Sequence, residues 1–379
     1  MIEIGPSQEP LPAELLHRNG GFLWWYIDLI DESGSGAVCI WSYGLPFSPG
    51  LASQTRDGSA IPPVERPGWN LVIYRDHKPI FYTLQEPSPE ACTWDRDGQI
   101  WTMGDTTFRR TIKDGRVEVN IDFDCQLTGL PHRLTGNLSL NGPLRIGAHE
   151  KEDSPSNPIE NLDRNDVTHT WEPISLGAAH AELHVQTGDW EARVAGRAYH
   201  DRNAAWEPLH EQDIKQWTWG RFAFDDREVV LYLLESDSPS AIEYGNTESG
   251  YWMEVDATGQ WIHKHIRSVD YIGPKNSLYG PTWYDTMVIT TYDGTTAHVK
   301  QAAPIDNGPF YLRHFATAEI GHETANGISE LVIPARVDMA IHRPLVKMRI
   351  DNDKPSMWLP LFQGPSTGRV SRLFKHWFS

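Results

Sequence analysis

Residues 106–126 read TTFRRTIKDGRVEVNIDFDCQ, two β-prone runs joined by the turn Lys113-Asp114-Gly115. Similar short runs fill the chain from Trp69 to Ser139. WNLVIYR, IFYTLQ, ACTWDRD and QIWTMG come before this pair and HRLTGNLSL after it, with RDHKP and RDG as further turns. Evenly spaced short strands with turn signals predict an antiparallel barrel or sandwich. Upstream, the apolar runs Phe22 to Ile30 and Ala37 to Tyr43 predict a hairpin turning at DESGSG. Pro46 to Pro67, rich in Gly and Pro, predicts a loop over the mouth of a cavity. Residues 147–167 are acidic and contain proline, and read as a mobile insertion because the strand pattern resumes directly after them. Beyond Asn203 to Ile214 the strands run again, from QWTWGRFAF to SELVIPARVD. The pattern occurring twice predicts an all-β chain of two similar domains, 1–205 and 206–379. No long amphipathic helix is expected.

Composition narrows the function. The 379 residues can bury a sizeable core, and no run of about 18 apolar residues predicts a membrane-spanning helix. The N-terminal MIEIGPSQEPLP lacks a basic-then-apolar signal, so a cytoplasmic location is expected. A formal charge of −18 opposes binding to nucleic acid. Cys39, Cys92 and Cys125 are odd in number and far apart, which fits buried thiols better than disulfides or zinc. His263 and His265 share a strand face without a third ligand nearby, so no metal and no other cofactor is expected. The basic, aromatic end SRLFKHWFS reads as a terminal strand or helix packed on the barrel, with peripheral membrane contact as the weaker alternative. The 16 Trp, 13 Tyr and 12 Phe suit packing between strands, and they also suit a ring-lined pocket for a hydrophobic small molecule.

The polar residues worth most attention lie between His169 and Arg221. Three strand-like segments there carry His169 and Trp171, Tyr199 and Asp201, and Trp217, Trp219 and Arg221, each set two residues apart. Residues at i and i+2 of a strand share a face, so converging faces would gather these groups in one concavity. A carboxyl among indoles stays protonated near neutral pH and can act as an acid. Against this, Asp followed by Arg-Asn is often a turn or capping residue. Pairing with Arg221 would lower the Asp201 pKa and defeat the acid role. His200 falls on the opposite face and is given no direct role.

With these segments in hand, the chain resembles the carotenoid 1,2-hydratase (hydroxyneurosporene synthase) family of tandem lipocalin-like proteins. The resemblance rests on GGFLWWYIDLID, SYGLPFSP, HTWEPIS, AYHDRNAAWEPL, WTWGR, PFYLRH and GISE, in that order over roughly residues 20–345. It implies two calycin-type β-domains, Asp201 as catalytic acid, and Tyr199, His169 and Trp171 in its supporting pocket. Trp25, in the first motif, joins Trp171, Trp217, Trp219 and Arg221 as a candidate substrate-binding residue. His200 between Tyr199 and Asp201, and Ala204-Ala205-Trp206 where a glycine is expected, depart from the hydratases proper. They look more like a wider group that includes lipocalin-like Diels–Alder cyclases. Three readings follow: a cofactor-free hydratase acting on a terminal isoprenoid double bond, a cyclase folding a polyene, and a non-catalytic lipid or pigment carrier. Substituting Asp201 by Asn separates them, because only the hydratase depends outright on its proton.

Overall fold

The structure is a computed structural model that describes residues 2–5, 13–95, 99–148, 169–236, 248–349 and 356–378. Nearly all of the acidic insertion read from the sequence lies outside these residues. The described residues form two mostly antiparallel sheets. In the first, the strand order is Gly364–Pro365, Lys78–Gln85, Pro67–Arg75, Gly36–Tyr43, Phe22–Ile30, Trp190–Ala205, His180–Thr187, Arg133–Pro143, Arg116–Gln126, Thr106–Lys113, Ile100–Met103 and Cys92–Trp94. The second sheet closes on itself as an eight-stranded barrel. Its order is Gln260–Asn276, Glu248–Asp256, Arg227–Ser236, Ile214–Ala223, Glu323–Val332, Tyr311–Ile320, Thr296–Gln301 and Thr282–Thr291, which pairs back to Gln260–Asn276. The all-β class expected from the turn spacing is what the chain adopts, and the hairpin at DESGSG forms as expected.

Two short segments cross between the sheets. Ile146–Ala148 adds to the second sheet beside Gln260–Asn276, and Gly364–Pro365 adds to the first beside Lys78–Gln85. The segment from Pro46 to Pro67 is not all loop, since Leu51–Arg56 forms a short helix and Pro63–Glu65 a 3-10 turn. The C-terminal stretch folds as the helix Arg369–Phe378, with the Trp377 ring edge-on to Trp358 at 4.9 Å. No helix among the described residues is long and apolar enough to cross a membrane. The three cysteines are free thiols.

Every residue of Phe22–Ile30 is buried, and strand alternation explains why. Trp25, Ile27 and Leu29 point into a core confined to the first sheet, beside Trp41, Trp69 and Trp101. Phe22, Trp24 and Tyr26 point the other way, into a core shared by both sheets. There they join Trp171 and Tyr199 from the first sheet and Trp217, Trp219 and Tyr232 from the second. A third core, with Phe222, Trp252 and Met287, fills the closed barrel. A strand covered on both faces carries apolar residues continuously instead of alternately, which is the reading of FLWWYIDLI. The interface between the sheets is therefore where the most aromatic strands present their second face.

Candidate active site between the two sheets

The 16-residue strand Trp190–Ala205 positions the site. Its second half is held on one edge by Phe22–Ile30 and on the other by His169–Ser175. Register sets Asp201 opposite Tyr26, and Asn203 opposite Trp171 and Trp24. Tyr199, Asp201 and Asn203 thus share the face turned toward the second sheet. Asp201 is buried, with 4% of its surface exposed. Its Oδ2 accepts the Tyr199 hydroxyl at 2.8 Å and the Trp171 indole N–H at 2.9 Å, while Oδ1 accepts the Asn203 amide at 3.2 Å.

Burial pushes the Asp201 carboxyl up to about 8. The bonds from Trp171 and Tyr199 oppose this, while the Glu330 and Asp28 carboxylates add to it. Removing a carboxylate from water costs more than two neutral donors return, so the neutral acid is the stable form at pH 7.

Asp201 opens on a cavity of about 40 Å³ lined also by Trp24, Tyr26, Trp171, Asn203, Trp219, Tyr232 and Glu330. That is room for a water molecule or two, with polar partners on several sides. Trp24, Tyr26 and Glu330 also line a larger chamber of about 480 Å³. Its walls include Ile40, Phe47, Val72, Tyr82, Trp217, Phe310 and Tyr311, a mostly apolar and aromatic set. Pro46 to Ser48, from the predicted mouth loop, form part of this lining. Glu330 accepts the Tyr26 hydroxyl at 2.9 Å and Arg313 Nε at 2.8 Å.

Of the residues singled out from the sequence, Tyr199, Asp201, Trp171 and Trp219 come together around the small cavity, and Trp217 lines the chamber. His169 stands one residue behind. Its ring nitrogens lie 3.1 Å from Asn203 Oδ1 and 3.0 Å from Gln212 Oε1, and burial pushes its pKa down to about 4. It orients Asn203 and does not touch Asp201. Trp25 lines neither cavity, because strand alternation sends it into the first-sheet core against Trp101 at 4.6 Å.

Arg221 lines neither cavity and does not pair with Asp201. It is fully buried between Asp28 and Glu228, at 2.8 Å from the latter, and donates to the Arg197 carbonyl. The guanidinium that would have lowered the Asp201 pKa is thus engaged elsewhere. His200 lies on the reverse face, with Nδ1 2.9 Å from the Tyr26 carbonyl.

Sequence reasoning did not single out Trp24, Tyr26, Asn203, Tyr232 or Glu330. Trp24 and Tyr26 flank the chosen Trp25 and are reached by shifting the face by one residue. Glu330 ends the GISE segment, where a carboxylate follows three uncharged residues in a strand. Register places it directly opposite Trp219.

Comparison with known proteins gives these contacts a family. Residues 97–358, over half of the chain, match the carotenoid hydratase CrtC family. A hydroxyneurosporene dehydrogenase of Chlorobaculum tepidum is 24% identical over 343 residues, covering 84% of each chain. An acyclic carotenoid 1,2-hydratase of Thiocapsa roseopersicina is 23% identical over 329 residues, 82% of this chain and 68% of that one. Among solved structures, a protein of Nitrosomonas europaea described as an AttH superposes with a TM-score of 0.55 at 15% identity, covering 83% of this chain and 92% of its own. CghA, solved with Sch210972, superposes with a TM-score of 0.52 at 11% identity, covering 83% and 88%. At such identities the structural likeness establishes the fold and no more. By the family match over most of its length, the chain belongs to the carotenoid hydratase family and has its lipocalin-like β architecture.

Proposed function

We propose that this protein is a cofactor-independent hydratase that adds water to an isolated double bond of an isoprenoid chain, with Asp201 as the acid. The observation that carries this reading is a buried carboxyl, its pKa pushed up by burial, beside a water-sized cavity that adjoins a mostly apolar chamber. A carrier needs the chamber but has no use for a proton held at that position. The names of the relatives, acyclic carotenoid 1,2-hydratase among them, point to the same chemistry.

Oδ2 already accepts two donors, so the proton sits on Oδ1. Gln212 Nε2 donates to the Glu207 carbonyl, which leaves its Oε1 to accept Nδ1–H of a neutral His169. Nε2 of that ring must then accept, and a half-turn of the Asn203 amide supplies its N–H₂. The same half-turn brings the Asn203 oxygen to Asp201 Oδ1, where it accepts the carboxylic O–H. The network is thus self-consistent with a protonated Asp201.

In the reaction, Asp201 transfers this proton to the less substituted alkene carbon and the π bond breaks to leave a tertiary cation. The faces of Trp24, Trp171 and Trp219 stabilise the cation by about 0.5–2 kcal/mol each where they meet it. Water in the small cavity attacks, a C–O bond forms, and the proton released returns to the Asp201 carboxylate. Nothing is oxidised or reduced.

The test is turnover of an acyclic carotenoid in oxygen-18 water by the intact chain and by Asp201→Asn. Label in an alcohol product, lost in the variant, supports the hydratase. A cyclised product without label identifies a cyclase, and binding without any conversion identifies a carrier.

A further inference from the structure

The far end of the chamber carries charge that a hydrocarbon substrate would leave idle. Arg349 and Arg369 both line it. The Arg349 guanidinium stacks 5.0 Å over the Phe362 ring, itself part of the lining, and has no carboxylate partner among the described residues. Among the described residues Arg369 donates once, to the Gly364 carbonyl at 3.3 Å, and its buried Nε has no partner. Burial, with repulsion from Arg372 and Arg349, makes Arg369 a weaker base than usual, while Arg372 itself lies off the lining and donates to the Thr367, Gln363 and Pro365 carbonyls. Two guanidinium groups at one end of a cavity repel each other, and an anion between them would relieve that repulsion. The other charges on the lining are engaged. Arg313 is bonded to Asp306 and Glu330, and Glu86 also has an interaction of its own.

The sheet itself measures how far this cluster stands from Asp201. A single row of paired residues runs Asp201, Tyr26, Ile40, Asn70, Leu84 across five neighbouring strands. Four strand spacings make roughly 19 Å at most. All members of the row after Asp201 line the chamber. Tyr82, two residues before Leu84, feels the field of both Arg349 and Arg369. The chamber therefore has the Asp201 cavity beside one end and the two arginines at the other.

We infer that the substrate is an elongated amphiphile whose single anionic group, a carboxylate or a phosphate, is held by Arg349 and Arg369 while its apolar chain runs along the row to Asp201. This rests on the reading of Asp201 as the acid, and it adds which end of the substrate enters first and what that end carries. A carotenoid hydrocarbon has no group for these arginines. A charged head group on an isoprenoid chain would then set the specificity, while a hydrocarbon would be held by the chamber walls alone.

Retinol, retinoic acid and retinyl phosphate share one apolar chain and differ in the head. Their dissociation constants are measured by quenching of tryptophan fluorescence, since Trp24 and Trp217 line the chamber. At least one of the two anions should bind about tenfold tighter than retinol, the gain of one charge-assisted hydrogen bond. Which anion does so tells a carboxylate from a phosphate anchor. Arg349→Gln with Arg369→Gln should erase that preference and leave retinol binding within twofold, which also shows that the variant folds. Arg349→Lys with Arg369→Lys should restore part of it. Equal binding of all three ligands, or a preference that survives the double glutamine variant, overturns the inference. Because binding needs no turnover, that failure would leave the Asp201 reading standing. An Asp201→Asn protein that still hydrates substrate would sink the acid role without touching the anchor.

Discussion

Tyr199 donates its hydroxyl to Asp201 Oδ2 over 2.8 Å from two positions away on the same strand, so the acid and its orienting group are fixed by one stretch of backbone. That bond pulls the Asp201 pKa down against the pull of burial. Tyr199→Phe should therefore raise the Asp201 pKa above its value of about 8. In the wild type, kcat/KM should fall as pH rises through about 8, because the acid form is consumed. In the phenylalanine variant this limb should move to higher pH, while the plateau drops by about tenfold for loss of one orienting hydrogen bond. A pH–rate profile of both proteins checks it, and a limb that stays in place would show that Tyr199 does not bond the reacting acid.

Asp201→Asn keeps the shape of the side chain and removes its proton. Activity should fall by about 10²–10⁴, the usual worth of a general acid. Stability gives an independent reading. In the folded chain Asp201 holds its proton up to about pH 8, against an ordinary value of 3.8. Between these pH values the folded state binds one proton more than the unfolded state, so stability falls as pH rises. This contribution is fully present below pH 3.8 and is lost by the time the pH has passed 8. The asparagine variant lacks that slope. Asp28, raised by burial to about 6, gives both proteins the same slope at lower pH, and its effect cancels in the comparison. Urea denaturation at pH 5 and pH 9 should show the variant gaining on the wild type at the higher pH.

How far the site was legible follows from strand alternation. Asp201, Tyr199, Trp171, Trp217 and Trp219 could be grouped because i, i+2 spacing assigns a common face without knowing the fold. What spacing cannot give is which of two buried faces meets the other sheet. In FLWWYIDLI both faces are apolar, so nothing local distinguishes Trp24 and Tyr26 from Trp25. Arg221 shares the face of Trp219, yet it pairs with Glu228 across its own hairpin and with Asp28 of the first sheet, a contact that depends on how the two sheets dock. Glu330 was invisible for the same reason, since it lies 129 positions from Asp201 and reaches the site through the pairing of Glu323–Val332 with Ile214–Ala223. The all-β class needed only turn spacing, whereas the exchange of Ile146–Ala148 and Gly364–Pro365 between sheets leaves no mark in short, unremarkable sequences.

Arg221 is predicted to matter for stability and not for substrate affinity. Its guanidinium is the common partner of Asp28 and Glu228, all three fully buried. Arg221→Met would keep much of the volume but leave two carboxylates facing one another without a cation. Breaking a buried ion pair from one side costs about 3–5 kcal/mol. Chemical denaturation should show a loss of that order. The triple variant Arg221→Met with Asp28→Asn and Glu228→Gln should recover a large part of it, because no buried charge is then left unpaired. Ligand affinity in whatever fraction remains folded should be unchanged, and a selective loss of affinity with normal stability would return Arg221 to the chamber wall.

Glu330 acts on the acid from the second sheet, and its effect should have the opposite sign to that of Tyr199. Its negative charge across the small cavity disfavours a second carboxylate and raises the Asp201 pKa. Glu330→Gln can still accept the Tyr26 hydroxyl, and Arg313 keeps Asp306 at 2.7 Å, so the wall should hold its shape. The neutral amide no longer resists ionisation of Asp201, whose pKa should fall below about 8. The alkaline limb of kcat/KM should therefore move to lower pH, where Tyr199→Phe moves it to higher pH. In the double variant the two shifts should largely offset each other, while the loss of rate from Tyr199 persists. The profiles of the two single variants and the double variant form a cycle that separates charge from orientation. Movement of both single variants in the same direction would mean that Glu330 acts on the substrate or the water and not on the proton of Asp201.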